Sequence, residues 1–260
     1  MSMKRTTLVV VALVAAVVWV VAASGAGAAT TNYVALGDSY SSGVGTNKYD
    51  LDATCKRSSS AYPALVAVAK AYSLNFQACT GAKTTDVISK QAAALSSTTN
   101  LVTVTAGGND IGFSSLLSSC TLSNCVASLT STLTTVSSTL PAKLDAMDTK
   151  IKTQAPNATV IVLGYPHLFS GTCLSAFGIS AAEVTAANNL ADALDTVTKT
   201  EAAKYGFVYK SAIAPFTNHG VCSSSPWLNG LNLAATGDSY HPNVTGQSSG
   251  YAPLVRSVTG

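Results

Sequence analysis

Tyr33-Val34-Ala35-Leu36-Gly37-Asp38-Ser39-Tyr40-Ser41-Ser42-Gly43 is a short apolar run that stops on a small polar triplet. A buried strand ending this way sets the Ser39 hydroxyl at the carboxyl edge of a sheet, beside the backbone amides of the next turn. Open α/β sheets bind their ligands there, outside the strand ends. A serine hydroxyl is a poor nucleophile until a base takes its proton. The plainer reading is helix capping, by Ser39 or by Asp38.

Outward from that stretch, apolar runs alternate with helical spacing. Strands are expected at Asn32–Leu36, Leu74–Ala78, Leu101–Ala106, Thr159–Leu163 and Phe207–Tyr209. Helices are expected at Ala61–Tyr72, Thr85–Leu95, Cys125–Gln154 with a kink or break at Pro141, Ala181–Tyr205 ended by Gly206, and from about Thr245 onward. Such alternation means a parallel sheet with helices on both faces. The loops at 43–60, 107–124, 165–180 and 211–243 follow strands or their crossovers and gather at the ligand-binding edge.

Residues 1–29 stand apart. Lys4 and Arg5 precede an unbroken apolar run, Leu8–Ala23, and Ala26-Gly27-Ala28 fits a small-residue cleavage pattern. That is a secretory signal peptide, the rival being a retained membrane anchor. Residues 30–260 then form a single domain of 231 residues, in which 13 basic side chains face 12 acidic ones. A near-neutral chain without a basic run argues against nucleic acid as a partner.

Six cysteines remain: Cys55, Cys79, Cys120, Cys125, Cys173 and Cys222. In an exported chain disulfides are the default. Six cysteines allow 15 pairings, and sequence order suggests Cys55–Cys79, Cys120–Cys125 and Cys173–Cys222. A metal site is not expected, since there is no Cys-x-x-Cys pair.

A base for Ser39 must come from His167, His219 or His241. Gly237-Asp238-Ser239-Tyr240-His241-Pro242-Asn243 puts a carboxylate three residues before an imidazole, close enough in a tight turn for Asp238 to fix the ring tautomer. The same residues also suit a simple surface turn. His167 could line the cleft but lacks a carboxylate nearby in sequence, and His219 is expected to be solvated. Developing negative charge needs aligned donors. The Ser39 amide, the Gly81 amide after the second strand and the Asn109 side chain in Gly107-Gly108-Asn109-Asp110 are candidates, with turn chemistry as the plain alternative for the glycines. Asp110 is expected to order the loop around Asn109. Tyr40, Phe113, Phe169, Trp227 and Leu228 are candidates to line a groove, or else ordinary packing residues.

Taken together, Ser after strand one, Gly after strand two, Gly-x-Asn-Asp after strand three and Asp-x-x-His before the last helix resemble the SGNH, or GDSL, hydrolase family. Its four named residues match Ser39, Gly81, Asn109 and His241 in order. Gly-Asp-Ser-Tyr-Ser-Ser-Gly, the three-disulfide pattern and Ser-Tyr-His-Pro-Asn look like the secreted actinobacterial lipases, esterases and phospholipases A of that family. No Gly-x-Ser-x-Gly surrounds Ser39, so the α/β-hydrolase elbow is not supported. The resemblance implies a flavodoxin-like three-layer α/β/α sandwich of about five parallel strands and an extracellular serine ester hydrolase working without cofactor or metal. Its expected substrates are lipid esters; phospholipids or acetylated carbohydrates are alternatives, and a non-catalytic binding module is the rival from another class. It is expected to act as a monomer touching lipid surfaces transiently. The side chain of Asp238 is the expected partner of His241. In some relatives a main-chain carbonyl takes that place, and here Asp238 or Ser239 could offer one.

Overall fold

A computed structural model describes residues 30–120, 123–170 and 179–260. The expected signal peptide and Cys173 lie outside them. Five strands form one sheet: β1 Asn32–Gly37, β2 Ser73–Phe76, β3 Leu101–Thr105, β4 Thr159–Leu163 and β5 Val208–Lys210. All pairings are parallel, in the order β2-β1-β3-β4-β5. Successive side chains on a strand point to opposite faces. Every residue of β3, and all but the first of β1 and β4, is buried, so both faces are covered. The α/β sandwich expected from the alternation is the observed one.

The covering helices are α1 Ser39–Ser42, α2 Tyr62–Lys70, α3 Thr84–Asp86, α4 Phe113–Cys120, α5 Val126–Ser138, α6 Leu140–Gln154, α7 Ala181–Lys204 and α8 Ala252–Thr259. Helices α5, α6 and α7 pack on one another, and α2 packs on α8. Pro141 divides the expected long helix: α5 stops at Ser138, and Pro141 sits in the first turn of α6, where its missing N–H is harmless. After α3 the chain widens into a π-turn, Val87–Gln91, and tightens into a 3₁₀ turn, Ala92–Ala94. The last helix likewise begins with a π-turn, Gly246–Tyr251. Helix α4 occupies a stretch expected to be loop. Its apolar Phe113, Leu116, Leu117 and Cys120 do have helical spacing, but the serines among them and the glycines before them obscure it.

From β1 the chain moves outward to β2, then returns across β1 to β3 and on to β4 and β5. Connections therefore leave in opposite directions from the neighbouring tips of β1 and β3, which opens a crevice there. Gly37 pairs with Thr105 across that switch point with φ +122°, and a Cβ on Gly37 would lie 2.4 Å from the Thr105 carbonyl oxygen. Glycine alone fits so close an approach.

Candidate active site

Ser39 is the first residue of α1. Asp38 provides the cap, its Oδ1 accepting from the Tyr40 amide at 2.9 Å, and Gly43 ends the helix in the left-handed conformation. The hydroxyl of Ser39 is thereby left for another partner. Its Oγ lies 2.7 Å from His241 Nε2. On the far side of the ring Nδ1 lies 2.8 Å from the Ser239 carbonyl oxygen. A carbonyl can only accept, so Nδ1 carries the proton and Nε2 accepts from the serine hydroxyl. Burial pulls the His241 pKa down to about 4; the bond to Ser239 and the charge of Asp238 push it upward, and Lys56 pushes it lower. The ring is a neutral acceptor at ordinary pH.

Asp238 does not touch the imidazole as its sequence position suggested. Its Oδ1 accepts from Lys56 Nζ at 2.8 Å. Burial by itself raises the Asp238 carboxyl, but hydrogen bonds from Lys56 and Tyr49 and the Lys56 charge outweigh it and hold it below the usual value. The Asp238–Ser239 peptide thus turns its carboxylate toward the 43–60 loop and its next carbonyl toward the histidine. Tyr240 follows with φ +60°, and its carbonyl accepts from the Tyr40 hydroxyl at 2.7 Å. Asn229 fastens the same turn, exchanging backbone hydrogen bonds with Tyr240 and His241 and donating from Nδ2 to the Gly45 carbonyl.

The other strand-tip residues lie on loops tied to this one. The Cys79 amide donates to the Gly37 carbonyl, so the loop carrying Gly81 starts beside the nucleophile turn. Gly81 has φ +74° and open space where a Cβ would stand; its backbone conformation, not crowding, calls for glycine. Asn109 donates from Nδ2 to the Ala82 carbonyl at 3.0 Å, which locks it to the Gly81 loop; its second amide hydrogen has no other partner among the described residues. Asp110 accepts from both the amide and the hydroxyl of Thr84, fixing the start of α3 rather than acting at the cleft.

A cavity of about 220 Å³ opens at the histidine, lined by Tyr40, Phe113, Leu117 and Tyr240 along with Ser239 and His241. Tyr40 and Phe113, two of the candidate groove residues, line this cavity. Trp227 does not. It stacks on His219 at 3.8 Å, meets Phe216 edge-on and packs away from that cavity. His219 is accordingly half-buried rather than solvated, with Nδ1 2.8 Å from the Ser225 carbonyl. Phe169 and Leu228 are core residues. His167 does have a carboxylate, Asp192 of α7 at 2.7 Å, a partner 25 residues away that sequence proximity could not reveal.

Disulfides join Cys55 to Cys79 and Cys120 to Cys125, and Cys222 is also disulfide-bonded. Sequence reasoning passed over several residues that build the site. Gln91, delivered by the π-turn, donates to the Gly37 carbonyl and accepts from the Gly37 amide. Tyr165 and Lys56 were likewise not singled out, whereas the Ser239 carbonyl is a named alternative partner of His241. A buried glutamine or tyrosine carries no distinguishing signal in one sequence.

The chain matches the GDSL-like Lipase/Acylhydrolase family over residues 35–248 and belongs to it. It is a carboxylic ester hydrolase. It is 44% identical to Lipase 1 of Streptomyces coelicolor over 238 residues, covering 89% of this chain and 88% of that one. It superimposes on the crystal structure of phospholipase A1 from Streptomyces albidoflavus NA297 with a TM-score of 0.84 at 44% identity, covering 88% of this chain and 99% of that one. The extracellular lipase of Streptomyces rimosus matches with a TM-score of 0.84 at 42% identity and the same coverage.

Proposed function

We propose that the protein is a secreted lipolytic esterase in which Ser39 and His241 act as a catalytic dyad. The observation that carries this reading is the buried chain Ser39 Oγ, His241 Nε2, His241 Nδ1 and Ser239 carbonyl, with distances of 2.7 and 2.8 Å. His241 takes the serine proton as Oγ attacks the ester carbonyl, then returns it to the leaving alcohol. It next deprotonates water to release the acid from the acyl-serine. The Ser239 carbonyl does the orienting that a carboxylate does in a three-residue triad. The amides of Ser39 and Gly81 and the free Asn109 amide hydrogen receive the developing oxyanion. No step requires a metal or organic cofactor.

Lipid esters are the proposed substrates. The apolar lining from Tyr40, Phe113 and Leu117 beside the histidine supports an acyl chain, and relatives of more than 40% identity bear the names lipase and phospholipase A1. Export is supported by the leader pattern in residues 1–29 and by the disulfides. Among the described residues no helix is long and apolar enough to cross a membrane. The protein is proposed to work as a monomer that meets lipid surfaces transiently.

The test is a panel of short esters, triglycerides and phospholipids on pure protein, beside Ser39→Ala and an active-site phosphonate. Hydrolysis rising with acyl length and a phosphonate adduct on Ser39 are expected. Turnover confined to acetyl esters would reject the lipid assignment, and full activity in Ser39→Ala would reject the mechanism.

A further inference from the structure

Asp38, directly before the nucleophile, is 1% exposed and makes two side-chain contacts that point in different directions. Oδ1 accepts from the Tyr40 amide inside α1. Oδ2 accepts from the Tyr165 hydroxyl at 2.5 Å. Tyr165, itself 4% exposed, lies two residues past the end of β4, and its oxygen accepts in turn from the Gly108 amide at 3.1 Å. Gly108 precedes Asn109. A buried line of hydrogen bonds therefore runs from the loop after β3, through the loop after β4, to the turn after β1. Its polarity is fixed at the amide end and, with Asp38 ionised, at the carboxylate end too. The amide can only donate, so the tyrosine oxygen accepts from it; burial pushes the Asp38 carboxyl up to about 7, and once it is ionised above that pH it can only accept, so the tyrosine proton goes to it. Burial holds the Tyr165 phenol well above its usual pKa, so that proton stays in place.

Resting on the dyad and oxyanion reading above, we infer that Asp38 and Tyr165 are positioning residues that set the Asn109 donor in register with the Ser39 hydroxyl. Neither touches the reacting atoms. Tyr165 binds the amide beside Asn109, and Asp38 binds the first turn of the nucleophile helix, so their bond fixes the spacing between donor and nucleophile. The opposite side of the loop is held by the Asn109–Ala82 bond. With one tie missing, Asn109 keeps its partner on the Gly81 loop but loses its reference to Ser39. Gly108 fits the same picture. Its φ is ordinary, yet a Cβ there would lie 3.1 Å from Tyr165 Cζ and 3.2 Å from the hydroxyl oxygen. Small size at this position is what lets the tyrosine reach the amide.

The experiment measures kcat and KM on a p-nitrophenyl ester for Tyr165→Phe, alone and combined with Asn109→Ala. Tyr33→Phe, which removes a buried hydroxyl bonded to Thr103 near the other end of the sheet, serves as the control. Tyr165→Phe is expected to lower kcat about 10-fold or more with KM within about twofold, as for a weakened transition-state donor. In the Asn109→Ala background the same change is expected to cost less than about threefold, because residues acting as a unit are non-additive. Gly108→Ala, which is compatible with the backbone and removes no hydroxyl, is expected to reproduce the kcat loss should Tyr165→Phe fold poorly. Tyr33→Phe is expected to leave kcat unchanged. A kcat for Tyr165→Phe and Gly108→Ala near wild type, or a loss equally large with and without Asn109, overturns the inference. If Asn109→Ala is severe while these variants are silent, the oxyanion reading stands and the positioning role alone fails; if Asn109→Ala is itself silent, both fail.

Discussion

The proposed nucleophile and its proposed base are held by different means. Ser39 stands at the tip of β1, in the middle of the sheet, where strand register, Gln91 and Asp38 each restrain the backbone. His241 stands in a stretch without a strand or long helix. It is secured by the Tyr40 hydroxyl, the Asn229 backbone pairs and the Lys56–Asp238 ion pair. The first arrangement uses the sheet itself; the second uses hydrogen bonds from loops far apart in sequence. Such loops form the lower-stability part of a fold. Geometry on the histidine side is therefore expected to yield first to mild perturbation, while the serine side yields only with the sheet.

The largest expected effect probes the serine side. Ser39→Ala should lower kcat/KM by at least about 10³-fold without lowering the thermal midpoint, since the buried hydroxyl contributes chemistry rather than capping. A lowered midpoint would restore the capping reading. Asn109→Ala should cost about 10²- to 10³-fold in kcat with little change in KM, the pattern for a lost oxyanion donor.

On the histidine side the acid limb of kcat/KM is informative. With His241 held at about 4, the histidine itself should impose no loss of activity at pH 6 or 5; a partial fall as pH drops through about 7 would instead report the buried Asp38 carboxyl, pushed up to about 7. Below about pH 4 the ring becomes protonated and cannot accept the serine proton, so the rate should fall about tenfold per pH unit. A full tenfold-per-unit limb near pH 6.5 that persists in Asp38→Asn would mean that the ring is solvated in the working enzyme and that its loop is looser than the hydrogen bonds imply.

Asp238→Asn should keep kcat within about threefold of wild type, because the histidine is held by a carbonyl that this change leaves in place. Lys56→Met, which leaves the mostly buried Asp238 carboxylate without its partner, should be the more damaging of the two. The reverse order would mean that the carboxylate acts on His241 directly. Trp227→Phe should be the smallest effect, with KM for long-chain esters within about twofold, since the ring packs on His219 and Phe216. A large rise in KM would return Trp227 to the substrate groove.

Much of this was legible in the chain because it rests on local rules. A β-branched or apolar run closed by glycine reads as a strand, and all five strands lie within a few residues of their expected places. Gly-Asp-Ser and Ser-Tyr-His each suit a cap or a turn by themselves; their joint order with Gly81 and Gly107-Gly108-Asn109-Asp110 is what marked the candidate site. The candidates for orienting His241 were legible, but the choice between the Asp238 carboxylate and a main-chain carbonyl was not. Asp238 and Ser239 are neighbours, and their roles depend on which way one peptide turns, which Lys56 decides from 182 positions away. Trp227 was misplaced for a related reason: an aromatic near a strand-end loop packs equally well inward or outward, and His219 and Phe216 drew it from the cavity. Helix α4 was hidden by its serines.

Residue order alone determined the parallel sheet and singled out Ser39 and His241 as the candidate pair at its carboxyl edge, because periodicity and chain punctuation are properties of neighbouring residues. The folded chain decided that a carbonyl rather than a carboxylate orients the imidazole, that Asp38 reaches Gly108 through Tyr165, and that Tyr40 faces the cavity while Trp227 does not. Those outcomes depend on which distant groups meet when the strand tips converge, and the direction of a buried hydrogen bond is set by the partner it meets.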